Sequence, residues 1–488
     1  MTRVTLISSR EGKPPQPERP VSLYEKRNQI YPKLAHGKFR TVKWLVMAIT
    51  LGIYYVIPWI RWPRGAGIPD QAVLADFAGE KFYFFFFEIW PQEIYFLGGL
   101  IILAALALFL VTSVLGRVWC GYTCPQTVWT DLYIWVERAF EGDRAARMRL
   151  DLGPLTFNKA WRKAGKHAVW ILIAFVTGGA FILYWHDAPT IARSFFKGES
   201  PLTAYFFAGV LTFTTYMLAG TMREQVCTYL CPWPRIQGAL TDEDALNVTY
   251  RYDRGEPRGA LHKEQGFAGR GDCIDCKQCV QVCPMGIDIR DGAQLECIHC
   301  ALCIDACDDI MRKVDRPAGL IAYDTDRAVS LRAAGQTSAY KLLRTRTVLY
   351  AALIVVISAL MLWGYTSKSA YEFNVLKDRS PPFVRLSDGS VRNGYTLKLV
   401  NKSTTAQTVN VSVIGLDGAE FEIIGIGTAP HGGTLTLTPE AHGVDRYRML
   451  VTVPRNEQSE GERLIVQLTD IHSGDTITAA APFTTGDR

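Results

Sequence analysis

The chain has 488 residues, enough for about three domains of ordinary size, and 48% of its residues are hydrophobic. Its formal net charge is only +6, from 53 basic and 47 acidic side chains, so the charge gives no reason to expect a nucleic-acid-binding protein. The first 40 residues are polar and the first apolar stretch has no small-residue cleavage site, which argues against a cleaved signal peptide.

Five windows of the sequence contain no charged residue. They are 44–60, 94–115, 168–185, 204–222 and 348–365. The length of each window is close to the roughly 20 apolar residues that a helix needs to cross the core of a bilayer. One such window is compatible with a buried helix of a soluble enzyme, but five together predict membrane-spanning helices.

Basic residues are distributed unevenly among the segments that connect these windows. Ten Lys or Arg residues precede the first window and nine lie in 116–167, whereas 61–93 has three and 186–203 has two. Because basic loops stay on the cytoplasmic side, we expect a cytoplasmic N-terminus and an outer location for everything after the fifth window. Aromatic residues of the first outer loop, at 59, 62, 82–87 and 90, are expected to be interfacial anchors, with the lining of a quinone pocket as the alternative.

Two short motifs follow the second and fourth windows: Cys120-Gly-Tyr-Thr-Cys124-Pro125 and Cys227-Thr-Tyr-Leu-Cys231-Pro232. With a basic residue upstream and a tyrosine in the middle of each, they resemble an internal repeat. The i,i+4 spacing places both sulfurs on one helix face, and proline moves the cysteine before it out of helical geometry. Each motif therefore predicts two thiols at a broken helix end near the membrane surface.

Two such thiol pairs that converge form a soft site suited to Cu(I). Thiolates stabilise Cu(I) over Cu(II), so a Cu(II) ion bound here could be reduced by the two iron–sulfur clusters that the cysteine runs at positions 273–307 predict. Packing cysteines, a zinc site, a third iron–sulfur cluster and a redox-active dithiol relay remain alternatives. Arg117, Arg223 and Arg235 favour a lower thiol pKa, whereas a helix C-terminus raises it, and the sequence does not decide between them.

The pattern C-x2-C-x2-C-x3-C occurs twice between positions 273 and 307. The first run is Cys273, Cys276, Cys279 and Cys283, followed by Pro284, and the second is Cys297, Cys300, Cys303 and Cys307. In this spacing three thiolates of a run bind one cluster and the fourth reaches the other cluster. Zinc needs fewer cysteines, and disulfides are disfavoured on a reducing side of the membrane. We therefore predict two [4Fe-4S] clusters, with His299 as a filler between cysteines.

The last part of the chain alternates apolar and polar residues. Strands are predicted at 395–400, 408–413, 433–438, 447–453 and 463–468, with turn signals such as Asp417-Gly418 between them. Many short strands at this spacing predict an antiparallel sandwich of immunoglobulin-like type. This part contains no cysteine, and we expect His431, His442 and His472 to be turn residues rather than metal ligands.

The predicted protein is multi-domain. A polytopic α-helical membrane domain with five spans carries a cytoplasmic α+β two-cluster ferredoxin module and a C-terminal all-β immunoglobulin-like sandwich. The predicted boundaries are 1–43 for a cytoplasmic N-terminal segment, 44–240 for spans one to four, 241–346 for the ferredoxin module, 347–366 for the fifth span and 367–488 for the sandwich. No G-x-G-x-x-G after a predicted strand and no Walker-type loop is evident, so the sequence does not identify the electron donor.

The combination of five spans, two CxxxCP motifs, a two-cluster segment and an outer sandwich resembles the CcoG/FixG/RdxA family of accessory proteins for cbb-type cytochrome c oxidase assembly. The resemblance covers the chain from about Tyr24 and includes the charged stretch 252–259. It implies a bacterial inner-membrane Cu(II) reductase with a periplasmic sandwich, and as partners a copper ion, oxidase subunits, or copper transporters or chaperones. Cys120, Cys124, Cys227 and Cys231 would be the catalytic, copper-associated residues. The first cluster would be held by Cys273, Cys276, Cys279 and Cys307, and the second by Cys297, Cys300, Cys303 and Cys283.

One position departs from the common ferredoxin pattern, because Asp308 rather than proline follows the last cysteine. The ligand set is unaffected, but the shape of this loop is not predicted. Two other functions stay open. A membrane protein of the NapH type would pass electrons from quinol and bind no copper, and a scaffold would hold oxidase subunits through the sandwich.

Overall fold

A computed structural model describes residues 29–65, 68–77, 79–261, 266–337, 340–367, 371–403, 407–430, 432–441, 443–455 and 463–485. Most of the predicted N-terminal segment, residues 1–28, lies outside the described residues, as do His431 and His442. The chain divides into two compact units. One consists of Pro69–Ile357 with the residues up to Arg64, and the other of Ser358 onward with Gly65–Ile68.

The helices of the chain have the following bounds: α1 (Lys38–Val56), α2 (Ile94–Leu115), α3 (Val118–Tyr122), α4 (Pro125–Glu141), α5 (Arg144–Leu152), α6 (Phe157–Ile182), α7 (Ala188–Lys197), α8 (Leu202–Thr215), α9 (Trp233–Leu240), α10 (Tyr252–Gly255), α11 (Gln278–Val282), α12 (Leu302–Lys313), α13 (Asp326–Ala333) and α14 (Thr345–Thr366). Wider, π-helical turns continue α8 over Tyr216–Met222 and recur at Val226–Leu230.

Five helical segments of the described chain are long and apolar enough to cross a membrane. They are Lys38–Trp59, Pro91–Leu115, Phe157–Ile182, Leu202–Met222 and Thr345–Thr366. Each contains most of one predicted window, so the prediction of a multi-pass membrane protein with five apolar helices is confirmed.

The cysteine-rich part of the first unit lies against one end of the spans. Its helix α12 supplies Asp305, whose carboxylate accepts the backbone N–H of Arg40, 2.7 Å away, at the start of span one. The backbone N–H of Arg117, just after span two, donates to Nδ1 of His299 at 3.1 Å. The start of span one and the end of span two therefore share this face of the protein.

The loops after spans one and three pack together at the opposite end. The Gln71 side chain donates to the carbonyl of Leu183 at 2.6 Å, and the backbone N–H of Ala75 donates to the carbonyl of Tyr184 at 2.8 Å. Contacts at both ends thus agree with spans that alternate in direction.

The loop after span one contains a small antiparallel sheet that the sequence did not predict. Its strands are β1 (Val73–Asp76), β2 (Lys81–Phe84) and β3 (Phe87–Ile89). Phe84 and Phe86 are exposed, as expected of interfacial anchors, but Tyr83 and Trp90 are buried inside the loop. The ammonium of Lys81 lies 3.9 Å from the centre of the Trp90 ring, so this tryptophan packs within the loop.

Helix α4 directly follows the first CxxxCP motif and carries buried acidic residues. Glu137 pairs with Arg147 at 2.8 Å, with Arg223 at 3.0 Å and with Lys166 at 3.3 Å. Glu141 also pairs with Lys166, at 2.8 Å. Because a buried charge is tolerated only when it is compensated, these contacts fix α4 against α6 and the end of span four.

The cysteine-rich module is a small α+β structure, as predicted. Strands β4 (Asn247–Tyr250) and β5 (Ile321–Asp324) pair antiparallel, beside α11 and α12. Val248, Met311, Leu320 and Ile321 form much of its apolar core.

The second unit contains a β-sandwich. Its strands are β6 (Tyr371–Lys377), β7 (Val384–Arg385), β8 (Val391–Asn401), β9 (Val409–Ile414), β10 (Glu420–Ile423), β11 (Gly427–Ala429), β12 (Thr434–Leu437), β13 (Val444–Val453), β14 (Arg463–Asp470) and β15 (Thr476–Pro482). One sheet has the order β11-β10-β13-β8-β6, with β7 paired to β8, and the other has the order β12-β9-β14-β15. The side chains of β8 and β14 alternate between buried and half-exposed, which is the pattern that the sequence predicted. All five predicted strands are present.

Candidate functional site

The eight cysteines of the ferredoxin module line two separate cavities. Cys273, Cys276, Cys279 and Cys307, here called the first cysteine set, surround one cavity. Three of these side chains are buried and Cys276 is exposed. The last cysteine of the second run therefore joins the first three cysteines of the first run.

The second cavity is lined by Cys283, Cys297, Cys300 and Cys303, here called the second cysteine set. Cys279 of the first set also reaches the wall of this cavity, so the two sets are neighbours. The resemblance implied the same two sets, and their role as cluster ligands stays a proposal.

Both cysteine runs bend at equivalent positions through left-handed backbone conformations. Asp275 and Lys277 have φ of 52° and 54°, and His299 and Ala301 have φ of 52° and 60°. Such a conformation costs about 1–2 kcal/mol for a residue with a side chain. Its occurrence at the same positions in both runs indicates loops shaped around an occupant.

The surroundings of the sulfurs fit iron–sulfur clusters. Burial raises the pKa of the thiols of Cys283, Cys297 and Cys307 to about 12, although backbone N–H groups of residues 285–287 donate to Cys283. A buried thiol ionises when positive metal ions replace its proton. In the described residues, no three His, Cys, Asp or Glu side chains are close enough to hold a single metal ion. Four sulfurs spread around an apolar cavity suit a polynuclear cluster better than a single ion.

The unusual Asp308 changes the course of the chain after the last cysteine. Helix α11 ends before Cys283-Pro284, whereas α12 continues through Cys307 and Asp308 as far as Lys313. The Asp308 carboxylate accepts the backbone N–H of Gly319 at 2.7 Å. Because aspartate retains the backbone N–H that proline lacks, the helix does not stop here.

The two CxxxCP motifs meet at a third site. Cys120, Cys124, Cys227 and Cys231 line one cavity of about 290 Å³, here called the thiol cavity. Cys124 and Cys231 have extended backbones with ψ of 128° and 120°, as expected for residues before proline. Cys297 of the second cysteine set also lines the thiol cavity. The two predicted thiol pairs are therefore together, next to the predicted cluster region.

Burial dominates the electrostatics of two of these thiols. It raises the pKa of Cys120 and of Cys227 to about 12, and for Cys120 the opposing effect of Arg117 is smaller. The Cys120 thiol donates to Oε1 of the fully buried Gln237 at 3.2 Å. No pattern in the sequence had indicated Gln237, because it contributes through a tertiary contact alone.

Arg117 connects the thiol cavity to the second cysteine set. Its guanidinium donates to the carbonyls of Pro234 at 2.9 Å, Cys297 at 3.3 Å and Leu295. Its backbone N–H occupies Nδ1 of His299, in keeping with the expectation that this histidine fills space between cysteines. Arg117 is therefore a structural residue of this junction, beyond its expected influence on the thiols.

The two motifs have different surroundings in spite of their similar sequences. Tyr122 of the first motif is 7% exposed and interacts with Tyr323 of β5, whereas Tyr229 of the second motif is 75% exposed. The residue after the first cysteine is Gly121 in the first motif and Thr228 in the second. The central tyrosine of the first motif thus packs against the cysteine-rich module, whereas that of the second motif is exposed.

Comparison with known proteins agrees with this arrangement. The family model described as "4Fe-4S dicluster domain" matches residues 222–326, and "4Fe-4S binding domain" matches residues 97–141. A third model, "IG-like fold at C-terminal of FixG, putative oxidoreductase", matches residues 361–485. Together with the five apolar helices, these matches identify the chain as a multi-pass membrane iron–sulfur protein of the electron-transfer class.

The relatives identify the family. The chain is 49% identical to nitrogen fixation protein FixG of Rhizobium meliloti, over 94% of this chain and 93% of that protein. It is 47% identical to protein RdxA of Cereibacter sphaeroides, over 89% of this chain and 91% of the relative. The chain belongs to the FixG/RdxA family. A more distant similarity, at 22% identity over 43% of this chain and 66% of the relative, connects it to the ferredoxin-type protein NapH of Haemophilus influenzae.

Proposed function

We propose that this protein reduces Cu(II) to Cu(I) at the thiol cavity, for copper delivery in the assembly of cbb-type cytochrome c oxidase. One observation carries the proposal: four thiols from two separate motifs line one cavity, and Cys297 of the second cysteine set forms part of its wall. A metal ion in this cavity would therefore lie next to the proposed source of electrons.

The four cysteines have the chemistry that the reaction requires. Sulfur ligands prefer Cu(I), so binding by thiols of this cavity favours the reduced ion. Because no three of the described His, Cys, Asp or Glu side chains are close enough to hold one ion together, copper would be held by two of Cys120, Cys124, Cys227 and Cys231, or by more of them after a local rearrangement. Because burial keeps Cys120 and Cys227 protonated, an incoming cupric ion displaces their protons when it binds. Each Cu(II) then takes up one electron and becomes Cu(I).

The two cysteine sets would supply the electrons. We assign one [4Fe-4S] cluster to Cys273, Cys276, Cys279 and Cys307 and the other to Cys283, Cys297, Cys300 and Cys303. Such clusters carry one electron at a time. The protein's own contribution is to keep the sulfurs in apolar surroundings and to bend both loops around them.

The proposed orientation is that of a bacterial inner-membrane protein. The basic segments before span one and in 116–167 support a cytoplasmic location for the cysteine-rich module. An odd number of spans would then place the sandwich in the periplasm. We propose oxidase subunits, or copper transporters or chaperones, as the partners of this domain.

Copper retention tests the proposal. The full-length protein in detergent, with its iron content checked, is loaded with copper under anaerobic conditions and desalted. We expect copper to remain in the wild type and in Tyr229→Phe, which changes an exposed residue of the second motif, and to be lost in Cys120→Ser/Cys231→Ser. Equal retention in the double variant would contradict a copper site in the thiol cavity.

A quinol-linked conduit is the second candidate. It is favoured by the distant similarity to NapH and by the 4Fe-4S binding match over 97–141, which contains Cys120 and Cys124. In this function the thiol cavity binds no copper and quinol reduces the clusters. Rapid cluster reduction by menadiol, with no response of the reduced protein to Cu(II), would favour the conduit. Clusters that no donor reduces would favour the scaffold.

A further inference from the structure

Helix α3 makes an unusually close contact with the second cysteine set. A β-carbon placed on Gly121 would lie 2.7 Å from the carbonyl oxygen of Ile298, 2.9 Å from that of His299 and 3.0 Å from Cα of Cys300. All three are backbone atoms, which cannot move aside as the end of a flexible side chain does. Only glycine therefore allows the helix that carries Cys120 to pack at this distance from the loop 297–303.

A second contact joins the same two segments. Tyr122, next to Gly121, interacts with Tyr323, whose hydroxyl donates to the carbonyl of His299 at 2.8 Å. In addition, Cys120 and Cys227 pack against one apolar cluster together with Cys283, Cys300 and Cys303. The thiol cavity and the second cysteine set thus share a backbone contact, a pair of interacting tyrosines of which Tyr323 donates to the His299 carbonyl, and an apolar core.

The first cysteine set has a different position. None of its four members lines the thiol cavity among the described residues, and Cys276 is exposed to solvent. Only the second set contributes a residue, Cys297, to both its own cavity and the thiol cavity. Of the two sets, only the second therefore borders the cavity in which a metal ion would lie.

We propose that Gly121 is a positioning residue that holds the thiol cavity against the loop 297–303, so that the second cysteine set, and not the first, faces the metal ion. This inference rests on the proposed function and deepens it. The first set, whose Cys276 is exposed, is then the side on which an external electron donor reaches the protein. The second motif has threonine, Thr228, at the equivalent position.

Co(II) is a suitable probe, because it binds thiolates, absorbs light when it does so and is not reduced by the clusters. The full-length protein is loaded with Co(II), reduced with dithionite, and studied by EPR power saturation. We expect Co(II) to speed the relaxation of one reduced-cluster signal only. That signal should be the one missing in Cys300→Ser and still present in Cys276→Ser.

Gly121→Ala tests the positioning role directly. We expect Co(II) to bind this variant, with a weaker effect on cluster relaxation. Oxidation of the dithionite-reduced clusters by Cu(II) should slow several-fold, because the rate of electron transfer falls as the distance between donor and acceptor grows. Gly179→Ala is the matched control, because a β-carbon there meets no atom within 4 Å, and it should behave like the wild type.

The outcomes separate this inference from the proposed function. Co(II) that relaxes the signal lost in Cys276→Ser would overturn the inference and leave the thiol site intact. The positioning role would also be overturned if, in Gly121→Ala, Co(II) relaxed the cluster signal as strongly as in the wild type and Cu(II) oxidised the clusters at the same rate. If Co(II) and Cu(II) fail to bind in a cysteine-dependent way, both the proposed function and this inference are wrong. The Cys300→Ser and Cys276→Ser variants, which identify the relaxed signal, both keep Gly121. That part of the test therefore remains valid even if Gly121→Ala does not fold.

Discussion

Glu137 is the acidic residue whose loss should destabilise the membrane unit most clearly. It is 3% exposed and pairs with Arg147, Lys166 and Arg223, the last of which precedes the second CxxxCP motif. Glu137→Gln keeps the shape of the side chain and removes its charge. Two buried cations, Arg147 and Lys166, and the partly buried Arg223 then lose a partner that they share, which is the situation in which the disruption of a buried ion pair is costly.

The magnitude follows from the pKa of this carboxyl. Burial alone would raise the pKa of the Glu137 carboxyl. The nearby cations, of which Arg223 has the strongest effect, outweigh burial and lower this pKa from the usual 4.5 to about 2. At about 1.4 kcal/mol per pKa unit, the lowering corresponds to roughly 3 kcal/mol of stabilisation. This stabilisation is close to the loss of about 3–5 kcal/mol that is expected when one partner of a buried ion pair is removed.

Thermal unfolding in detergent measures the effect. With about 2 °C of Tm for each kcal/mol in a large domain, we expect Glu137→Gln to lower the apparent Tm by about 6 °C at pH 7. Asp309→Asn is the control, because Asp309 pairs with Lys313 at the surface and such a pair is worth about 1 kcal/mol or less. A Tm within 1 °C of the wild type for Glu137→Gln would refute this reasoning.

The pH dependence has a definite sign. A carboxyl with a lowered pKa stabilises the fold above its unfolded pKa, near 4.5, and loses that contribution as the pH falls toward about 2. The Tm difference between wild type and Glu137→Gln should therefore be constant from pH 7 to about 5 and shrink at lower pH.

Two further substitutions test other parts of the account. Asp308→Pro removes a backbone N–H inside α12 and the contact with Gly319. We therefore expect the stability of the fold to fall by about 3 kcal/mol or more and the protein to contain less iron. An unchanged iron content and Tm would contradict the helical role of this position. Asp305→Ala removes the carboxylate that accepts the backbone N–H groups of Phe39 and Arg40, and we expect a loss of about 2 kcal/mol in thermal unfolding, with Asp305→Asn intermediate. Equal stability of Asp305→Ala and the wild type would show that span one needs no cap from α12.

The elements that could be predicted are those that depend on local pattern. Apolar windows of sufficient length define the five spans, and strict alternation defines strands such as β8 and β14. Proline after Cys124 and Cys231 determines the extended backbone at both positions, which the structure has. Local rules of this kind need no knowledge of distant contacts.

The parts that could not be predicted depend on tertiary contacts. Glu137 lies in a segment that the sequence showed only to be rich in basic residues, and it is buried because three cations from separate segments surround it. The sheet β1–β3 was missed because its aromatic residues also suit a membrane interface. The competing influences on the thiol pKa could not be ranked, since burial, which decides the matter, is absent from the sequence.

The unequal roles of the two motifs were also invisible. Their spacing and their central tyrosines suggest a repeat, and the difference between Gly121 and Thr228 has no meaning until the loop 297–303 is seen against α3. The same holds for Gln237, which reaches Cys120 from a different helix.

In the proposed function, electrons pass from this protein to copper at the thiol cavity. The most direct test is anaerobic: stoichiometric Cu(II) is added to the reduced full-length protein, cluster oxidation is followed by EPR, and Cu(I) is captured by a chromogenic chelator. We expect one Cu(I) for each electron lost by the clusters, and no such reaction when Cys120, Cys124, Cys227 and Cys231 are all replaced by serine. Clusters that stay reduced after Cu(II) addition, or an equal yield of Cu(I) from the four-serine variant, would contradict the proposed function.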